Sequence, residues 1–447
     1  MFKHNITAIV ALVSGLLLSS AASSQCIPGA DWGLEEIYSN ADGSVQFLVM
    51  VSVSGPGLGV DASPLAGTTL IASDGAMEKA YTFPSDLPSR KNGQRVLVGT
   101  QGFAALNLVK PDFVVPNGFV FVLNGSVRLG DRPWCAGPIQ YAVLPTDGVN
   151  AYWPDAFGDG GVLITVANAI NFAGEYFILT ANHGGLWWKS PAGSESGWGI
   201  AIEHQRDVVF AAWATYDTDG APVWFVMPRA ELVALFEPNR FRGAIYRTTG
   251  PALDQRPFDP SAVVATQVGF GEFNFSSDGD STFSYSTGAA SALKTIARQI
   301  FADPVPVCQI VATPGPVPNY QGLWWNAPAG SESGWGLHLT HQGDVIFAIW
   351  FTYDGVGKAT WLAMTAGKIA PNSYAGAIYR TNGPAFSAAL FDPSAVTGTQ
   401  VGTGRLTFGD RDSGAFSFVC GGCGVDGVVQ TKQITRQIFA TPPAVCN

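Results

Sequence analysis

The chain has 447 residues, a net charge of −10, 47% hydrophobic residues and only 13% charged ones. An acidic balance without clustered Lys and Arg excludes binding along a phosphate backbone, so nucleic acid is not an expected partner. With 53 glycines, 13 tryptophans and no long Ala/Glu/Lys/Leu runs, the composition argues for strands and turns, and the length suits about three domains.

Residues 1–24 open with Lys3 and His4, continue through the apolar run Ile6–Leu18 and end in small residues. That pattern is a cleavable secretory signal peptide, too short in its apolar part to span a membrane. No later stretch reaches 18 uninterrupted apolar residues. The expected location is secreted or periplasmic in a bacterium, with no transmembrane segment. Six cysteines in an exported chain suggest three disulfides. The simplest assignment joins Cys26 to Cys135, Cys308 to Cys446, and Cys420 to Cys423 as a small local loop.

Residues 26–175 read as one domain. An Asp42-Gly43 turn joins two predicted strands. The runs LAGTTLIAS, KAYTFP, RVLVGT, FVFVL, SVRLG and IQYAVLP follow, separated by Gly, Pro, Asn and Asp. Short strands at this spacing predict an immunoglobulin-like β-sandwich. The run from Leu65 to Leu70, followed by an aromatic strand and Arg95–Val98, resembles the lamin-tail type of β-sandwich, which implies an accessory or attachment module. The stretch from Asn171 to Ala181 is predicted as the exit linker.

The rest of the chain is a duplication. Between Gly185–Asp217 and Gly322–Asp354, 23 of 33 residues are identical. GAIYRT, FDPSAV, TQVG and RQIFA then recur after a loop four residues shorter in the second copy. A period of 137 copies a whole domain rather than a solenoid unit. The domains are set at 182–308 and 319–447, joined by the stiff proline-rich spacer TPGPVPNY. Each copy parses into eight short-linked strands, which close best as an antiparallel meander β-barrel. The fold class is therefore all-β: a β-sandwich followed by two homologous eight-stranded barrels.

Gly-Leu-Trp opens each copy and an arginine lies in each last strand. This resembles the lipocalin and avidin superfamily, and the resemblance implies that Trp187 packs on Arg298 and Trp324 on Arg436 at the barrel floor. GLWWNAPAGS also looks like the avidin opening, which would put Asn326 and Ser331 near a ligand mouth. The first copy has Lys189 at the Asn position, so biotin binding does not follow. The WW…ESGWG pattern itself resembles a module of secreted proteobacterial proteins, to which no function is attached.

Ten of the 13 tryptophans occupy matched positions in the two copies. Trp on a β scaffold either fills a core or stacks on a ligand. In the strand DVIFAIWFTY both alternating faces are apolar, so one face is core and the other is covered by a neighbouring domain or a ligand. PAGSESGWG is identical in both copies, and loops usually diverge faster than cores unless something holds them. The expected function is therefore non-catalytic binding or surface attachment. The ligand would be a glycan, a small hydrophobic molecule or a cell-surface component, held near Glu195, Ser196, Trp198 and His204 and near Asn326, Ser331, Glu332, Ser333, Trp335 and His341.

The alternatives are a hydrolase using Ser196, His204 and Asp207, with Ser333, His341 and Asp344 in the second copy, and a purely structural spacer or assembly role. The nucleophile lacks a Gly-x-Ser-x-Gly elbow, and Glu195 and Glu332 stand as single matched acids where a glycosidase needs a facing pair. His338 and His341, three apart on a strand, point to opposite faces, so no metal and no cofactor are expected.

Overall fold

A computed structural model of the chain describes residues 31–53, 61–130, 138–154, 163–234, 237–276, 281–423 and 427–447. The signal peptide, Cys26 and Cys135 lie outside the described residues. Among the described residues the fold is all-β, with one short α-helix at Gln101–Ala105 and single 3₁₀ turns at Pro260–Ala262 and Pro393–Ala395. Among the described residues no helix is long and apolar enough to cross a membrane.

The N-terminal domain is two facing sheets. A six-stranded sheet runs, from edge to edge, Leu163–Val166, Asn150–Trp153, Asp31–Ser39, Gln46–Val53, Arg95–Thr100 and Phe113–Val115. Its last pair is parallel and the others antiparallel. A four-stranded sheet orders Glu78–Thr82, Thr69–Ser73, Leu123–Leu129 and Ile139–Val143. Trp32, Leu48, Met50 and Val96 from the first sheet meet Leu70, Val127, Leu129 and Tyr141 from the second in a common core. Period-2 alternation is what lets each strand donate every other side chain to that core.

Two details differ from the sequence reading. The apolar run at Phe119–Leu123 enters a strand only at Leu123. Its backbone is met instead by a side chain, because the buried Gln46 accepts from Val120 N (2.9 Å) and donates to Val120 O (2.8 Å). The segment expected as an exit linker holds the strand Tyr176–Ile178, which pairs with Asn168–Ile170. Phe177 and Leu179 join a second core on the outer face of the six-stranded sheet.

Each copy closes into an eight-stranded antiparallel barrel. The first barrel runs from Gly185–Lys189 to Ser291–Arg298 and the second from Gly322–Asn326 to Val428–Arg436. Closure brings strand one against strand eight, with Trp187 opposite Arg298 and Trp324 opposite Arg436. The guanidinium carbons lie 5.6 Å and 5.2 Å from the indole centroids, within cation–π reach. The copies differ in two connections. Strands four and five are joined through residues 233–239 in the first and 371–372 in the second; strands seven and eight through 288–290 and 421–427, the latter carrying the Cys420–Cys423 disulfide.

The barrel interior is filled by side chains. In the first barrel Ile200, Trp213, Met227 and Phe283 leave a void of only about 10 Å³, the space of about one water. In the second, Trp350 packs on Phe416 and Phe418 in the same way.

The two barrels pack together about a pseudo-twofold axis, and their cores are continuous. Trp224 Nε1 donates to Thr352 O (3.0 Å), and its counterpart Trp361 Nε1 donates to Thr215 O (2.8 Å). The buried Gln205 amide holds the segment after the second barrel, at Gln437 O, Phe439 N and Ala440 N. Gln342 holds Gln299 O, Phe301 N and Ala302 N identically. This is an isologous interface within one chain. It is also the cover required by the two apolar faces of DVIFAIWFTY: Trp350 turns inward, while Phe351 and Tyr353 pack on Trp224 of the other barrel.

The linker between the barrels does not stand free. Cys308 pairs with Cys446 in a two-residue ladder and in a disulfide. Val311 sits in the outer core of the sandwich, where Asn40 Nδ2 donates to its carbonyl at 3.1 Å.

Candidate functional site

The PAGSESGWG loops lie between strands one and two, where each barrel meets the other. Gly197 has a φ of +125°, and a Cβ built there would fall 2.6 Å from Val396 Cγ2; the twin Gly334, at φ +128°, would meet Val263 Cγ2 at 2.4 Å. Val263 and Val396 end the FDPSAV turns. Thus the SGWG of one copy abuts the FDPSAV of the other, in both directions. A side chain at either glycine would be strained by its backbone and blocked by its neighbour.

Beside each contact is a cleft of about 210 Å³. One is walled by Trp188, Trp198 and Trp361, with Phe347, Ile349 and Ala363 opposite. The other is walled by Trp325, Trp335 and Trp224, with Phe210, Ala212 and Val226 opposite. Every position of the first lining has its counterpart in the second, which adds Val263 and Tyr353; each cleft draws its loop and two of its tryptophans from one barrel and its far wall from the other. Ser196, Gln299 and Thr381 are the hydroxyl and amide side chains of the first lining; Ser333, Gln437 and Thr248 take their places in the second, where the Tyr353 hydroxyl joins them. Neither lining contains a charged residue.

The loop acids orient the walls. Glu195 accepts from Trp198 Nε1 at 2.9 Å and pairs with Lys294 at 2.7 Å, and the lysine lies 5.7 Å from the Trp198 ring. Glu332 accepts from Trp335 Nε1 at 2.8 Å and pairs with Lys432, which lies 4.7 Å from that ring. Each indole is therefore fixed at its N–H and on its face, and each carboxylate is spent on a structural ion pair. Asn326 donates to Ser331 Oγ at 3.0 Å and to Ala327 O at 3.1 Å, so these two engage each other.

His204 and His341 are elsewhere. Gly199 to His204 alone spans roughly 17 Å at about 3.3 Å per strand residue, which puts Ser196 and His204 at opposite ends of the barrel. Ser196 Oγ donates to Gly193 O instead (3.3 Å), as Ser333 Oγ does to Gly330 O (3.1 Å). His204 Nδ1 accepts from His183 N at 3.2 Å and His341 Nδ1 from Tyr320 N at 3.1 Å, so both rings cap backbone at the barrel floor. Burial pulls both imidazoles down to about 4, which keeps them neutral and poor as bases near neutral pH. The Ser–His–acid arrangement is not assembled in either copy. Among the described residues no group of three or more His, Cys, Asp or Glu is placed to hold a metal ion.

The structure thus brings Ser196, Trp198, Ser333 and Trp335 to the clefts, sets Glu195 and Glu332 behind them, and leaves His204 and His341 at the far end. Sequence reasoning missed Trp188, Trp325, Trp224 and Trp361 as wall residues. The signal that could have found them was the two-sided apolar alternation of the third strand, whose outward face had to meet something. No family model, curated protein or solved structure matches the chain.

Proposed function

We propose that the chain is an exported, non-catalytic binding protein that holds a small uncharged ligand in each of the twin clefts between its barrels. The observation that carries this reading is the repetition of a tryptophan-walled, charge-free cleft at matched positions on both sides of the pseudo-twofold axis. The void found inside the first barrel is only about 10 Å³, and concave, mostly apolar sites with a few polar groups are the usual seat of small ligands. Export rests on the signal-peptide pattern of residues 1–24, and the Cys308–Cys446 disulfide is consistent with an extracellular location.

The test is a titration of intrinsic tryptophan fluorescence in the full chain against a broad panel of small neutral compounds. Trp188→Ala, at a half-buried wall position, should abolish the response of one cleft while leaving the melting temperature nearly unchanged. A flat response across the panel would refute the binding reading. A structural role for the same loops is favoured by one observation, the seating of Gly197 and Gly334 against Val396 and Val263. On that reading the loops lock the barrels together, and the clefts are by-products of the joint.

A further inference from the structure

Resting on that reading, we infer that each cleft takes the neutral, flat ring of an aromatic compound and not a sugar. The volume of about 210 Å³ is below the roughly 300–1,000 Å³ of a site for a drug-sized ligand, so the occupant is about one ring. Trp188, Trp198 and Trp361 offer indole faces and edges to it, which suits offset-stacked or edge-on aromatic contact.

The polar inventory decides against a sugar. In the first cleft Ser196 Oγ donates to Gly193 O, and Thr381 Oγ1 accepts from Tyr216 OH at 3.0 Å. Gln299 keeps its backbone engaged with Leu186 O and Gln342, which leaves its side-chain amide and the unpartnered Trp188 Nε1 to meet the polar edge of a ligand; in the second cleft Trp325 Nε1, Thr248 Oγ1 and Tyr353 OH are the buried atoms without a partner. A pyranose brings several hydroxyls, and each one buried without a partner lowers affinity by roughly a factor of ten or more. Charge is excluded on similar grounds. Glu195 and Lys294, which hold the Trp198 wall, neutralise each other, and with no charged residue in the lining a ligand carboxylate or ammonium would be buried without a counter-ion.

The experiment uses the full oxidised chain, with indole and toluene as neutral rings, benzoate as the charged analogue and methyl glucoside as the sugar, read by tryptophan fluorescence and calorimetry. Indole is expected to bind at two equivalents per chain, with benzoate at least tenfold weaker than toluene and the glucoside silent. Ala363→Phe fills the first cleft and Val226→Phe the second; each should lower the indole stoichiometry to one, and melting curves identify any variant that has failed to fold. The wild-type preference among the four compounds stands as a test even if both variants unfold. Binding of the glucoside in preference to indole would overturn the aromatic assignment and leave the binding reading standing. Indole stoichiometry unchanged in both folded variants would overturn the placement. Silence toward all four compounds would overturn the inference, while a response elsewhere in the broader panel would preserve the binding reading.

Discussion

The contact between SGWG and FDPSAV makes a quantitative prediction. In Gly197→Ala the new Cβ would stand 2.6 Å and 2.9 Å from the two methyls of Val396, on a backbone at φ +125°. Backbone strain of this kind costs on the order of 1–3 kcal/mol, and overpacking a closed contact adds about 1–3 kcal/mol. The single variant should therefore lose roughly 2–6 kcal/mol. Val396→Ala removes two half-buried methyls and should cost about 1 kcal/mol. In the double variant the obstructing methyls are gone, so only the backbone part of the first loss remains. It should be more stable than Gly197→Ala alone, with a coupling of about 1–3 kcal/mol. Urea unfolding of the four proteins in the cycle measures this directly. The Gly334–Val263 pair, with its 2.4 Å approach, should repeat the sign. Additivity to within about 0.5 kcal/mol in both cycles would refute the claim that these motifs are held together by one joint.

Two other expectations concern the same frame. Cys308 and Cys446 close a loop of sequence separation 138, for which chain entropy gives about 5 kcal/mol of stabilisation; the double serine variant should show a markedly lower urea midpoint, and a loss under about 1 kcal/mol would count against a structural clamp. The buried His204, His338 and His341 titrate near 6.5 when unfolded but at about 4 when folded, so the unfolded chain binds the extra protons between those values. Stability is then full above pH 6.5 and falls as pH drops toward 4, by up to roughly 3 kcal/mol for each histidine. His338→Ala, which installs the residue found at the matching position Ala201, should flatten melting temperature against pH over that window; an unchanged slope would be evidence against the burial argument.

Much of the architecture was legible in the residues. Short strands, tight links and a 137-residue period specify two closed barrels, and the Gly-Leu-Trp and Arg positions mark the strands that meet on closure. The places where the copies lose register are the places where their hairpins differ. The joint between the barrels was not legible, for a physical reason. Trp224 and Thr352 are 128 residues apart, and Gln205 and Phe439 are 234 apart; no local periodicity encodes such pairings. The alternation in DVIFAIWFTY required a cover for the outward face but could not say that the cover was the other copy. Likewise the identity of the two PAGSESGWG loops pointed to selection on a site. The structure adds a packing constraint on the same glycines, and sequence alone could not separate the two. His204 and His341 misled because a histidine before a turn looks solvated, whereas here the turn closes over the barrel floor.

The self-complementary joint also has a consequence for synthesis. A chain made from its N-terminus finishes the first barrel before the second exists, and that barrel must wait with Phe210, Trp224 and the SGWG loop uncovered. Two nascent chains at this stage carry the same sticky face and can mate with each other as readily as each will later mate with its own second half. The short tether through Cys308–Val311 gives the internal partner a large advantage in effective concentration, so the fused pair wins at modest protein levels. A chain truncated before residue 319 lacks that partner, and the fragment should emerge as a two-chain assembly or as aggregate instead of a monomer.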